Sequence, residues 1–165
     1  MLSRRQLLAA SPTTLPLFLA LNGCKGPAVL SAPPVVSQQT QVLLRAVTAE
    51  QNLIWIYAKV MSVYSGLAAE LGPLHADHQA HLAQLRARVI EPAGKQLAVA
   101  VTSKPAVAAT KAAALAQLSA AEQAAVTAQM SRLGAAPAPL AQLYASIAAC
   151  EATHVSVLGA RAGTR

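Results

Sequence analysis

One helical face constrains this chain more than any other feature. From 140 to 158, Leu140, Tyr144, Ile147, Glu151, His154 and Leu158 follow one another at intervals of 4, 3, 4, 3 and 4 residues, which puts six side chains on one side of an α-helix. A face like this enters a core. Glu151 and His154 therefore point inward, and at i, i+3 a carboxylate and an imidazole reach toward the same point. Other helices must answer them there.

The remainder of the sequence supplies such helices. The 165 residues are 55% hydrophobic and only 3% aromatic, so the composition implies one all-α domain whose core is built from Ala, Leu and Val. No β-branched run alternates with polar residues, and the alanine-rich stretches favour helix. A first helix is predicted over 41–64, with Leu43, Val47, Glu50, Ile54, Tyr57, Met61 and Tyr64 as its seam. After a turn at Ser65-Gly66, Leu67, Leu71, Leu74, His78, His81 and Leu85 keep the same spacing, so a second helix is expected to run through Gly72-Pro73. His75 and Asp77 fall off that seam, and Asp77 is placed to hydrogen-bond His81 one turn on. Residues 91–104 hold Pro92 and Gly94 and show no seam, which marks a long crossover. A third helix is expected over 106–133, with Leu115, Leu118, Glu122, Val126, Gln129 and Leu133 on one face. Ser119-Ala-Ala-Glu122 also fits a capping box, but the helical sequence upstream favours Glu122 on the seam. Gly134 to Pro139 then break the chain before the fourth helix.

The N-terminus reads as an export and anchoring signal over 1–24. Ser3-Arg4-Arg5-Gln6-Leu7-Leu8 resembles a twin-arginine motif, and the apolar run from Leu15 leads to Leu21-Asn22-Gly23-Cys24, which resembles a lipobox with Cys24 as the lipidated residue. A spacer follows over 25–40, carrying Pro27, Pro33 and Pro34, and the domain proper is expected over 41–160. This places the protein on the outer face of the cytoplasmic membrane, held by lipid. Of 13 Lys+Arg, Arg4 and Arg5 leave with the signal, and against 6 Asp+Glu the mature chain keeps a charge of +5. That balance suits an anionic lipid or wall polymer. Basic residues are not interleaved with aromatics as nucleic-acid binding would require. With Cys24 lipidated, Cys150 is the remaining thiol and is expected to be a small buried apolar residue.

In an antiparallel helix pair, residues equally distant from the turn lie level. Glu50 with His78 and His81 has midpoints at 64 and 65.5, at Tyr64 to Gly66; Glu122 with Glu151 and His154 has midpoints at 136.5 and 138, within Ala136 to Pro139. Both hairpins thus carry their polar seam groups at one level. The order Glu50, His78-x-x-His81, Glu122, Glu151-x-x-His154 resembles the ferritin-like superfamily of di-iron and di-manganese carboxylate bundles, and the small ferritin-like domains of bacterial envelope lipoproteins. The likeness spans about 38–160 and departs at His78, where the family has a bridging Glu.

The resemblance implies an antiparallel four-helix bundle with one long crossover. It also implies Fe or Mn, mono- or dinuclear, on Glu50, His78, His81, Glu122, Glu151 and His154, and an oxidase or ferroxidase activity. Energetics leaves a second reading open. An uncompensated buried charge costs several kcal/mol, so three seam carboxylates require metal, protonated histidines or water; the metal-free case is a non-enzymatic envelope protein with a vestigial polar core.

Overall fold

The computed structural model describes residues 36–91, 101–102 and 104–163, and among them the chain is all-helical. Four long helices, α1 (Gln38–Val63), α2 (Ala68–Arg86), α3 (Lys111–Arg132) and α4 (Ala138–Gly163), are joined by short 3₁₀ turns at Ser65–Leu67 and Leu133–Ala135. The signal and lipobox with Cys24, the spacer as far as 35, and 92–100 of the crossover lie outside the described residues. No described helix is long and apolar enough to cross a membrane.

The ends of the helices follow from local chemistry. Ser37 caps α1 by accepting from the Thr40 amide at 3.1 Å, so Gln38 to Thr40 belong to the helix rather than to the spacer. α2 does run through Pro73. Proline forfeits the bond to the Ala69 carbonyl, and Ala69 and Pro73 are both exposed, so the loss falls on the solvent side of the helix rather than in the core. Gly66 takes no left-handed conformation; the turn is made by the 3₁₀ step instead.

α3 begins five residues later than its alanine content suggests. Thr110 accepts from the Ala113 amide at 3.2 Å and caps the helix, while 106–108 run outside it. That segment is held by the Gln117 amide group, bonded to Ala106 O at 2.9 Å and Ala108 N at 3.1 Å, and by the Tyr64 hydroxyl, bonded to Ala108 O at 2.7 Å. Tertiary hydrogen bonds thus overrode helix propensity. α4 starts with Pro139 in its first turn, where a missing N–H costs nothing.

α1 packs along α2 and α3 along α4, and the two hairpins meet through α1 against α3 and α2 against α4. An ion pair between Arg161 and Glu70 ties the last turn of α4 to the first turn of α2. The apolar interior comes in two clusters. One gathers Ile56, Tyr57, Val60, Leu71, Leu115, Leu118 and Leu158; the other gathers Leu43, Val47, Leu85, Leu140, Tyr144 and Ile147. In α1, α2 and α4 the polar seam residues fall between the members of one cluster and the members of the other; α3 enters the first cluster ahead of Glu122, and Leu133 just past its end packs against the second. The site is therefore a polar layer closed above and below by hydrocarbon.

All six seam residues of α2 and all six of α4 are buried. On α1, Leu43, Val47, Glu50 and Tyr57 are buried, but Ile54, Met61 and Tyr64 are only half-buried and Ala46, Leu53, Ile56 and Val60 take the interior. A strict 3.5-residue repeat drifts by about 20° per heptad from a straight helix, so a long seam written that way leaves the core. Val126 of α3 is half-buried for the same reason, with Ala125 buried in its place; Leu133, expected to end that seam, opens the 3₁₀ turn instead and is half-buried.

Replacing Thr110 by Ala should cost about 1 kcal/mol in urea unfolding, with Thr110→Ser close to wild type. Equal midpoints for the Ala and Ser variants would show that the cap does not set the start of α3.

Candidate metal centre

Six polar residues from four helices meet in the layer between the clusters. Glu50, His78, Glu122 and Glu151 are 0% exposed, His154 is 3% and His81 is 8% exposed. All six residues expected from the seams are thus brought together. His78 lies at the centre: its ring is 5.2 Å from those of Tyr57 and His154 and 5.8 Å from that of His81.

His78 is held between two carboxylates. Its Nδ1 lies 2.9 Å from Glu50 Oε2 and its Nε2 lies 2.8 Å from Glu122 Oε1. An ionised carboxylate offers only lone pairs, so both ring nitrogens donate and the ring is the imidazolium. Burial pushes the His78 pKa down, but the hydrogen bonds and charges of Glu122 and Glu50 outweigh it and carry it up to about 9.

The carboxylates are unequal. Burial would raise the Glu122 pKa, yet its Oε1 accepts from Tyr57 OH at 2.5 Å, from His78 at 2.8 Å and from His154 Nδ1 at 3.2 Å, and the pKa falls to about 2. Glu50 is likewise held below the ordinary range, burial being outweighed by His78 and His81. Glu151 goes the other way. Burial, then the charges of Glu50 and Glu122, push it up to about 8, and the charge of His78 and the Gln129 amide beside it offset only part of this. Without metal, Glu50 and Glu122 at neutral pH are carboxylates on either side of the His78 imidazolium, and Glu151 is held largely in its neutral form.

Hydrogen bonding leaves a specific set of atoms unmatched. Glu50 Oε1, His81 Nδ1, Glu122 Oε2 and both oxygens of Glu151 are buried with no hydrogen-bond partner among the described residues. Unsatisfied buried polar atoms cost about 1–3 kcal/mol each. Four of these five atoms belong to Glu50, His81 and Glu151, whose ligand atoms lie with one of His78 within 4.8 Å of each other. His78, Glu122 and His154 form a second such group. Oxygen and imidazole donors at this separation fit a divalent transition ion, so the residues present can hold the metal that the seam pattern implies.

Four residues touch the site in ways the seams did not foretell. Tyr57 is a seam residue of α1, and its hydroxyl is the shortest donor to Glu122; burial and then the Glu122 charge push its own pKa far up. Gln129, expected inward on α3, is the group beside Glu151, and its Oε1 accepts from Arg132 at 2.8 Å. Asp77 was expected to bind His81, but its Oδ2 lies 3.2 Å from His154 Nε2 on α4. Cys150 was expected to be a buried apolar residue; it is half-buried, with Sγ 3.6 Å from that same nitrogen. Helical spacing assigns a residue to a face but does not name the helix beyond that face. The i+7 step from Glu50 to Tyr57, and again from Glu122 to Gln129, was the available signal.

No protein-family model, curated protein or solved structure matches this chain.

The pKa shifts fix the pH dependence of the metal-free chain. Above the ordinary value of 4.5 the unfolded chain releases the Glu151 proton that the folded chain keeps, so stability falls as pH rises toward about 8. His78 adds a further loss from 6.5 toward about 9. Glu122 acts oppositely: its contribution is present above 4.5 and disappears as pH falls toward about 2. With chelator present, melting temperature should peak near pH 5 and decline by pH 9, the loss being of the order of a few kcal/mol. In Glu151→Gln the decline should begin only above about 6.5. A wild-type curve flat from pH 5 to 9 would contradict these protonation states.

Proposed function

We propose that this chain is a ferritin-like four-helix bundle that binds one transition-metal ion, Fe or Mn, in its core, while a lipid on Cys24 tethers it to the outer face of the cytoplasmic membrane. The observation that carries the reading is the set of ligand atoms on Glu50, His81 and Glu151 that are buried together without a hydrogen-bond partner among the described residues, His81 Nδ1 and Glu50 Oε1 facing each other only at 3.7 Å. These three residues would hold the ion. His78 lies next to it as a fixed cation that orients Glu50, and Glu122 and His154 complete the layer.

A redox-active ion would supply one-electron chemistry at this position, which is how the resemblance leads to an oxidase or ferroxidase. The chain's own part is narrower. Glu50, His81 and Glu151 bind, the two hydrocarbon clusters exclude water, and Glu151 carries a proton that it gives up when a cation arrives.

His78 also favours a second reading. With both nitrogens on carboxylates, it neutralises much of the core without any metal, and the protein would then act through its basic surface as a non-enzymatic envelope component.

Titration of the chelator-treated protein with Fe²⁺ or Mn²⁺ separates the two. One ion per chain is expected, with stabilisation of about 2.7 kcal/mol at a hundredfold excess over the Kd. Glu151→Ala and His81→Ala should lose it, and Glu70→Ala should not. His78→Glu should raise occupancy toward two, because it restores the fourth carboxylate; in a metal-free core the same change destabilises by several kcal/mol, with no rescue by metal. Absence of uptake, together with identical melting with and without chelator, would establish the metal-free reading. Cys24→Ser should release the protein from membranes. Wild-type protein that is wholly soluble and unmodified would remove the tether from this proposal.

A further inference from the structure

A second site lies at the end of the molecule formed by the start of α1 and the α3–α4 turn. A cavity of about 520 Å³ opens there, lined among others by Gln38, Arg45, Ser131, Arg132, Leu140 and Tyr144. Its volume is in the range of small-ligand sites.

Its charge is unbalanced. Neither Arg45 nor Arg132 pairs with a carboxylate among the described residues. The chain has few acids to offer: of its six, Glu50, Glu122 and Glu151 are buried in the polar layer and Glu70 is paired with Arg161. Arg132 is half-buried and held in place, its guanidinium carbon 5.9 Å from the centre of the Tyr144 ring and one nitrogen donating to Gln129. Burial pushes its pKa down, Tyr144 and the buried charges of Glu151 and Glu50 oppose this in part, and the charge of Arg45 adds to it. Tyr144 supplies the independent observation. It is 1% exposed, lines the cavity, and has a buried hydroxyl with no hydrogen-bond partner.

We infer that this cavity is an oxyanion site for a phosphate group, gripped by Arg45 and Arg132 with the Tyr144 hydroxyl as a third donor. Two guanidinium groups with no carboxylate paired to either among the described residues call for an anion, and donors on three separate side chains suit a tetrahedral group with several acceptor oxygens. Val42 and Leu140 give the wall an apolar part for whatever carries the phosphate. The carrier is a soluble phosphomonoester or a phospholipid headgroup. The second source rests on the lipid tether proposed above, since Cys24 precedes Gln38 in the chain.

The test is calorimetric titration of the full chain with inorganic phosphate and glycerol phosphate, with chelator present so that no core metal binds the anion. Co-sedimentation with phosphatidylglycerol and phosphatidylcholine vesicles is measured alongside. Saturable binding of glycerol phosphate identifies a soluble ligand, and binding to phosphatidylglycerol vesicles alone identifies a headgroup. In either case Arg45→Gln should weaken it about tenfold or more, the effect of losing a charged hydrogen-bond partner. Tyr144→Phe should weaken it several-fold, and Lys59→Gln, away from the cavity, should leave it unchanged. Arg45 is exposed, so that variant decides the matter even if Tyr144→Phe fails to fold. No saturable binding to any probe, or equal binding by wild type and Arg45→Gln, overturns the assignment.

Discussion

The carboxylate–imidazolium–carboxylate line through Glu50, His78 and Glu122 is the interaction on which the interior depends. Glu50 comes from α1 and Glu122 from α3, and two buried carboxylates cannot face each other across a helix pair without a cation between them. α2 delivers that cation, so one ring joins three helices. Removing one partner from a buried pair typically costs about 3–5 kcal/mol, and here the loss of His78 would strand two carboxylates at once. α4 then closes the layer with Glu151 and His154, which meet a field already set by the other three helices.

The layer also fixes register. Above and below it the contacts are largely aliphatic, with Tyr57 on one side and Tyr144 on the other, surfaces that tolerate sliding and repacking. A slide of one turn would bring a carboxylate against hydrocarbon and a leucine against an imidazolium. Polar groups in such a layer discriminate between packings that the apolar clusters alone would accept nearly equally, a role best known from polar residues placed at core positions of coiled coils.

Much of this was legible in the sequence because buried charge is rare. Glu50, Glu122, His78, His81, Glu151 and His154 stood out as polar residues at apolar spacing, and equal distances from the two turns put them on one level. What was not legible has two physical sources. Drift of a 3.5-residue pattern on a helix with a 3.6-residue turn displaced Ile54, Met61 and Tyr64 from the core. Contacts between helices did the rest: the Gln117 amide took 106–108 out of α3, Asp77 met α4 instead of its own helix, and Arg45 and Arg132 came to share a cavity although nothing in their flanking residues relates them.

Burial of the acids has one more consequence, for how the molecule looks to an approaching ion. The net charge of +7 counts six acids, three of which are withdrawn from the surface, so the exterior repels cations more strongly than the formal balance suggests. Affinity and access are thereby opposed: the interior is the most cation-seeking part of the protein, and the outside is a barrier to anything positive. Asp77 interrupts that barrier. About half exposed and in contact with His154, it is, among the described residues, the carboxylate that touches both solvent and the inner layer, and it offers a cation a first foothold there.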